Sequence, residues 1–465
     1  MSGAGLLRRK TITEQPPERQ LARTLSWPHL VALGVGAIVG TGILTLIGVA
    51  SDRAGPAVLL SFVVAGAICA FAALCYAEMA SAIPASGSAY TYSYAVLGEI
   101  IAWVVGWSLI LEYSLVVATV AVGWSAYAIR FLEWAGLGIP QALAAGPQAG
   151  GIVNLPAMLI IAVIAWLLSL GTRESARLNA ALVLLKIATL ALFVIVALPQ
   201  FQAANLQPFA PFGYGAHSDA DGVKRGMMGA AAIIFFAFYG FDAISTAAEE
   251  TKRPDRDLAI GIVGSMAACT VIYLLVGAAA VGAVSYTEFG KSAEPLAMIL
   301  DRLGQSTIAS VVALAAAIAL PTVLLAFFYG QSRIFLVMAR DGFLPSSLAV
   351  VSRRGTPVRI TVLTAVLVAA IAGLAPLDEI ASLANAGTLC AFIAVAACVL
   401  VSRHRHPDAR RPFRTPVAWV IAPLAILGCL YLFISLSGRT QAFFFAWNAA
   451  GLVVYFLYAR PRALV

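Results

Sequence analysis

The stretch Gly34-Val-Gly-Ala-Ile-Val-Gly-Thr-Gly-Ile43 constrains the fold of this chain more than any other. It lies inside an apolar run, about residues 29–50, that is long enough to cross a bilayer. Glycines at 34, 36, 40 and 42, with Thr41 among them, make a poor continuous helix. Each glycine costs roughly 1 kcal/mol against alanine in a helix interior. In lipid, the N–H and C=O groups released by a break must be satisfied by protein, water or a ligand. A break at Ile38–Gly42 therefore points to a binding site. The amides of Gly40, Thr41 and Gly42, at the start of the second half-helix, suit an anion such as a carboxylate. Carbonyls ending the first half, around Ile38, suit an ammonium or another cation. A plainer alternative is close helix–helix packing, which the G-x-x-x-G spacing of Gly36 and Gly40 also serves.

The rest of the chain bears on that choice. Of 465 residues, 61% are hydrophobic and only 11% charged, with mean hydropathy +0.91. A soluble domain carries about 25% charged residues, so this is an all-α polytopic membrane protein with essentially no water-soluble domain. Twelve apolar runs have spanning length: 29–50, 56–82, 97–131, 153–171, 177–199, 226–249, 258–284, 306–339, 358–374, 378–402, 416–436 and 440–459. The third and eighth are long enough to require tilt or extension beyond the bilayer. All six cysteines fall in apolar runs, so no disulfide framework is expected, and none has metal-ligand spacing with a histidine. None of the four histidines lies deep in a run, which disfavours an intramembrane histidine relay. The polar, basic first 25 residues carry no cleavable leader pattern, so the first span is expected to serve as the signal.

Lysines and arginines assign the orientation. With the N-terminus inside, 21 of the 30 fall in inner segments and 7 in outer loops, while Lys186 and Arg333 lie within spans. This bias places both termini in the cytoplasm, with tails at 1–28 and 460–465. It also accounts for the net charge of +8 without a nucleic-acid partner. The basic stretch His404-Arg-His-Pro-Asp-Ala-Arg-Arg-Pro-Phe-Arg414 reads as a cytoplasmic loop beside anionic lipid.

A second irregular run, Ala232-Ile-Ile-Phe-Phe-Ala-Phe-Tyr-Gly-Phe-Asp242, opens the sixth span. Taking 29–199 as one five-span unit and 226–402 as another, both irregular helices head their units. The units then run in opposite directions, the pattern of transporters whose paired discontinuous helices meet at a midplane site. Residues 416–459 add two further spans.

Charges inside the runs mark candidate functional residues. Lys186, in the fifth span, is read as part of a transport pathway, exchanging a proton or standing as a fixed charge at a cation site; snorkelling to the surface is the alternative. Glu112, in the third, is read either as a protonatable or gating carboxylate or as a structural partner. Asp242 either stabilises unwound backbone or pairs with a cation. Glu78 is expected near the interface. Glu249 and Glu250, beside Lys252 and Arg253, form either an inner gate or a solvated face.

Three groups of residues together resemble the amino acid–polyamine–organocation superfamily, and within it a bacterial member of the cationic amino acid transporter family. The first is Ser26-Trp-Pro-His-Leu30 with Gly36-Ala-Ile-Val-Gly-Thr-Gly-Ile43. The second is Gly240-Phe-Asp-Ala-Ile-Ser-Thr-Ala-Ala-Glu-Glu250 with Arg253-Pro-Asp-Arg-Asp-Leu258. The third is Gly330-Gln-Ser-Arg333 with Met338-Ala-Arg-Asp-Gly342. The resemblance implies a leucine-transporter-like fold of 12 transmembrane helices: a 5+5 inverted repeat, discontinuous helices 1 and 6, and two C-terminal helices. It implies a substrate carboxylate on Gly40, Thr41 and Gly42, and a substrate amine on carbonyls near Ile38, Phe236 and Tyr239. It also implies Lys186 in place of sodium at a second cation site, and Glu112 as gate or proton group.

Around Pro321-Thr-Val-Leu-Leu-Ala-Phe-Phe328 there is bulk and no acid, and Phe327 or Phe328 would shorten a side-chain pocket. The expected function is secondary active, proton-coupled transport of small neutral L-amino acids such as alanine across the inner (plasma) membrane. Exchange, or transport of arginine and lysine, is the alternative, and a non-transporting sensor a distant one. No cofactor, sodium or metal is expected. Nor is an enzyme, since the chain lacks metalloprotease, nucleophile-elbow and phosphate-loop motifs. The expected partners are the amino acid and membrane lipid; a small membrane subunit or homo-oligomer is left open.

Overall fold

The computed structural model describes residues 8–10, 25–85, 87–169, 176–220, 222–248, 251–289, 292, 294–350 and 358–462. Among them, nine helices are long and apolar enough to cross a membrane, and three shorter apolar helices accompany them. Every run expected to span is helical along most of its length.

The first run is broken into α1 (Trp27–Ile38), α2 (Thr41–Leu44) and α3 (Leu46–Ala54). Next come α4 (Val58–Ala82) and a short helix that apolarity alone did not indicate, α5 (Ser88–Val96). Tyr90, Tyr92 and Tyr94 of α5 are all buried, so it is anchored to the bundle by aromatic rings. The long α6 (Glu99–Trp134) follows, then α7 (Leu155–Ser169) and α8 (Ala176–Ala197). The sixth run is again broken, into α9 (Met227–Ile234) and α10 (Asp242–Thr246), after which α11 (Pro254–Ala283) is continuous. A short helix, α12 (Pro295–Arg302), precedes α13 (Ser306–Ala319) and α14 (Pro321–Arg340). Pro321 starts α14 because it lacks an N–H and fits a first helical turn. The chain ends with α15 (Val358–Leu374), α16 (Leu377–Arg405), α17 (Ala418–Ser435) and α18 (Gly438–Val454).

The α6 helix is the central post: α13, α14 and α16 all pack on it, while α11 lies against α1 and α4. Large apolar side chains point outward on the peripheral helices, among them Leu159, Trp166, Val366, Trp419, Leu427 and Phe445. Several hydroxyls inside are turned back on their own helices. Ser114 donates to the Ile110 carbonyl, Thr119 to Leu115 and Thr189 to Leu185. An apolar exterior, with backbone polarity closed largely within helices, suits lipid as the surrounding solvent.

Glu78, expected near the interface, is enclosed by protein rather than open to solvent. It is buried at the end of α4, accepting two bonds from Arg403, at 2.9 and 2.7 Å, and one from the Thr415 amide at 2.8 Å. Arg411 lies 3.4 Å away and also donates to the carbonyls of Ser402 and His406, closing the end of α16. The basic stretch 404–414 is thus folded back on a buried carboxylate at Arg411, while Arg410 remains exposed.

Candidate functional site

The predicted break in the first run is present. Ser26 caps α1, with its hydroxyl 2.9 Å from His29 Nδ1, and helical geometry lasts to Ile38. Val39 (ψ 100°) and Gly40 (φ −154°, ψ −146°) are extended, and α2 then begins. The first bond of the new ladder runs from Leu44 N to Gly40 O at 3.2 Å, so the amides of Thr41, Gly42 and Ile43 precede it. At the other side of the break, carbonyls at the end of α1 receive side chains from two different helices. Lys186 Nζ of α8 donates to Gly36 O at 2.7 Å, and the Tyr273 hydroxyl of α11 donates to Ile38 O at 2.8 Å.

The sixth run loosens to a 3-10 turn at Phe235–Ala237 and opens at Gly240, whose φ of +118° only glycine adopts readily. Asp242 stabilises this opening: one carboxylate oxygen accepts the Gly240 amide and the other the Tyr113 hydroxyl, each at 3.0 Å. Of its two sequence readings, the backbone role is the one with visible contacts. Asn385 of α16 donates to the carbonyls of Ala232 and Ile233, at 2.8 and 3.3 Å, where α9 runs out of partners.

The two breaks lie against each other. A Cβ on Gly240 would sit 3.0 Å from the Ala37 carbonyl carbon, and one on Gly42 only 2.3 Å from Ala237 Cα. Between them is a small cavity with room for about one water molecule. Seven of the residues singled out in the sequence line it: Ile38, Gly40, Thr41, Gly42, Phe236, Tyr239 and Phe327. The other walls are Ala37, Val116, Val120 and Val323, and no acidic side chain is among them. The hydroxyls of Thr41 and Tyr239 are buried without a hydrogen-bond partner.

A second, equally small cavity lies on the other side of the first break, lined by Val39, Leu44, Lys186, Thr189, Ala316 and neighbours. Lys186 is only 2% exposed, so it does not snorkel but reaches inward to the broken helix. The strip Ile38-Val39-Gly40 is the partition: its extended backbone turns Val39 to one cavity and its flanking residues to the other.

Phe328 and Glu112 do not line the first cavity. Phe328 is buried but does not line it, because successive helical residues point about 100° apart and Phe327 takes that face. Glu112 is fully buried, packs its Cβ where a side chain on Gly387 would go, and has neither oxygen hydrogen-bonded. It therefore faces α16 rather than the cavity. Its neighbour Tyr113 bonds Asp242 and packs at a tilt on Phe327, with ring centroids 5.3 Å apart. Glu249 and Glu250 lie outside the described residues.

Sequence reasoning missed Val116, Val120 and Val323, and also Tyr113, Tyr273 and Asn385. The valines leave no sequence signal, since their helices are apolar on every side. The other three are polar groups inside apolar runs, which is a usable signal.

Comparison with known proteins identifies the family. A family profile described as amino acid permease matches residues 25–457. The chain is 44% identical over 451 residues to a branched-chain amino acid permease of Bacillus subtilis, covering 96% of this chain and 95% of that protein. It is 42% identical over 469 residues to a methylthioribose transporter of the same organism, covering 99% of each. A vacuolar cationic amino acid transporter of Arabidopsis thaliana is 37% identical over 398 residues, covering 84% of this chain and 64% of that protein. The chain belongs to the amino acid permease family of the amino acid–polyamine–organocation superfamily, as a bacterial-type member.

Proposed function

We propose that the protein is a secondary transporter that moves neutral aliphatic L-amino acids with a proton by alternating access. In this reading the chain crosses the plasma membrane twelve times with both termini inside, and α1–α8 and α9–α16 are inverted repeats. The observation that carries the reading is the meeting of two broken helices around a cavity lined by Ile38, Gly40, Thr41 and Gly42 of the first break and Phe236 and Tyr239 of the second. The substrate carboxylate lies on the amides of Gly40, Thr41 and Gly42, with the Thr41 hydroxyl as a further donor. Its ammonium lies on carbonyls at Ile38 and in the Phe236–Tyr239 turn. The side chain points to Val116, Val120, Val323 and Phe327. Aliphatic walls favour alanine-sized to branched substrates, and a guanidinium would find no carboxylate there.

Lys186 supports proton rather than sodium coupling, because its ammonium already holds a carbonyl at the end of α1. Glu112 is the second proton candidate. The relatives' printed substrates differ: branched-chain amino acids, methylthioribose and cationic amino acids. Substrate choice is therefore set within the cavity and not by the fold.

The test is uptake of labelled alanine, valine and arginine into proteoliposomes in sodium-free buffer, with and without an inward proton gradient. Alanine or valine should accumulate with the gradient, and Lys186→Ala should abolish the accumulation. Uptake that requires internal amino acid and ignores the gradient would make the protein an exchanger. Arginine competing at micromolar concentration would reject the neutral assignment.

A further inference from the structure

Tyr273 joins both breaks from a helix that is itself continuous. It is fully buried in α11, and its hydroxyl donates to the Ile38 carbonyl at 2.8 Å. Its ring meets Phe238, in the turn of the sixth run, edge-on at 5.2 Å, and Phe62 of α4 at 6.2 Å. Phe62 also packs on Phe238 at 6.1 Å, so three rings fix the position of the hydroxyl. The Ile38 carbonyl is at an unwound helix end, where no helical N–H reaches it. A carbonyl oxygen has two lone pairs. With one held by Tyr273, the peptide plane is fixed and the remaining lone pair has a defined direction. Ile38 lines the first cavity, whereas Tyr273 is not among its walls.

We propose that Tyr273 is a positioning residue for the substrate ammonium: it orients the Ile38 carbonyl so that one lone pair faces the cavity. The proposal rests on the reading above that the amine binds at Ile38. It distinguishes Tyr273 from a residue that only packs α11 onto α1. A packing residue affects every ligand alike, whereas an orienting one affects ligands through their amine.

The experiment measures binding to the purified full-length protein of L-alanine and of L-lactate, which has a hydroxyl in place of the ammonium. Tyr273→Phe keeps the ring and removes the O–H. It should weaken L-alanine about five- to tenfold, the worth of roughly one hydrogen bond, and leave the inhibition constant of lactate unchanged. Phe62→Leu, which keeps the hydroxyl but loosens the rings that place it, should lower the melting temperature and weaken alanine more than lactate, by less than Tyr273→Phe does. Equal weakening of both ligands in Tyr273→Phe, or no change in either, overturns the proposal. If wild-type protein binds no neutral amino acid, the reading of the cavity fails and the proposal with it. Alanine binding that is intact in wild type and unchanged in Tyr273→Phe sinks the proposal alone.

Discussion

At the scale of single residues, the glycines of the first break are explained by neighbours rather than by flexibility alone. Gly42 is where the backbone of the sixth run comes closest, and a methyl group there would overlap Ala237. Overpacking a tight interior costs about 1–3 kcal/mol, and here the cost falls on the contact between the two breaks. Gly42→Ala should keep the protein folded in detergent yet reduce amino acid uptake more than tenfold, as read by melting temperature and initial rate together. Uptake within twofold of wild type would mean that the two breaks separate easily. Gly240 is constrained twice, by its positive φ and by the Ala37–Ile38 peptide against which it lies. The glycines were legible in the sequence as a break, but the partner that each one touches was not.

At the scale of elements, each broken helix borrows its caps from intact ones. Lys186 and Tyr273 close the end of α1, and Asn385 closes the end of α9. Caps of this kind replace the intrahelical partners that a break removes, and in lipid no water substitutes for them. Asn385→Leu removes the side-chain donor from the Ala232 and Ile233 carbonyls and should destabilise the protein by about 1–3 kcal/mol, seen as a lower melting temperature. Asn385→Asp should do the same, since a carboxylate cannot donate. If Leu at this position is neutral, the α9 carbonyls have another partner. The sequence shows which helices break because glycine and a lone aspartate interrupt long apolar runs. It does not show which face of α6 lines the cavity. Val116 and Val120 stand four residues apart, as a helical face requires, but so do many apolar residues of that helix. Only tertiary packing selects among them. The same limit left Phe327 and Phe328 as alternatives for the pocket, although one residue of helical rotation separates them and only Phe327 lines the cavity.

At the scale of the whole molecule, the apolar runs indicated where the helices lie, because hydrocarbon tolerates so few alternatives for a backbone. What they hid is the cluster that ties α4, α16 and the segment before α17 together. Glu78 was placed at the interface by its position near the end of a run. Arg403 and Arg411 come from more than three hundred residues further on, and no local pattern announces them. Breaking a buried ion pair costs about 3–5 kcal/mol, whereas an exposed pair is worth about 0–1 kcal/mol. Glu78→Ala should therefore lower the melting temperature sharply, and Arg410→Ala, which removes the exposed pair with Asp255, should barely move it. Similar losses in the two variants would show that Glu78 is hydrated in solution.

The partition formed by Ile38, Val39 and Gly40 has one more consequence. Two compartments share a single strip of chain, with Lys186 on one side and the proposed ligand wall on the other. A strip that thin does not yield on one face without moving the other. Thermodynamic reciprocity then requires that any factor by which a bound amino acid alters proton affinity across the strip be returned in full, as the factor by which the proton alters amino acid affinity. Under the proposed coupling of Lys186 to the ligand wall, energy conversion would need no distant relay: the connection is three residues long.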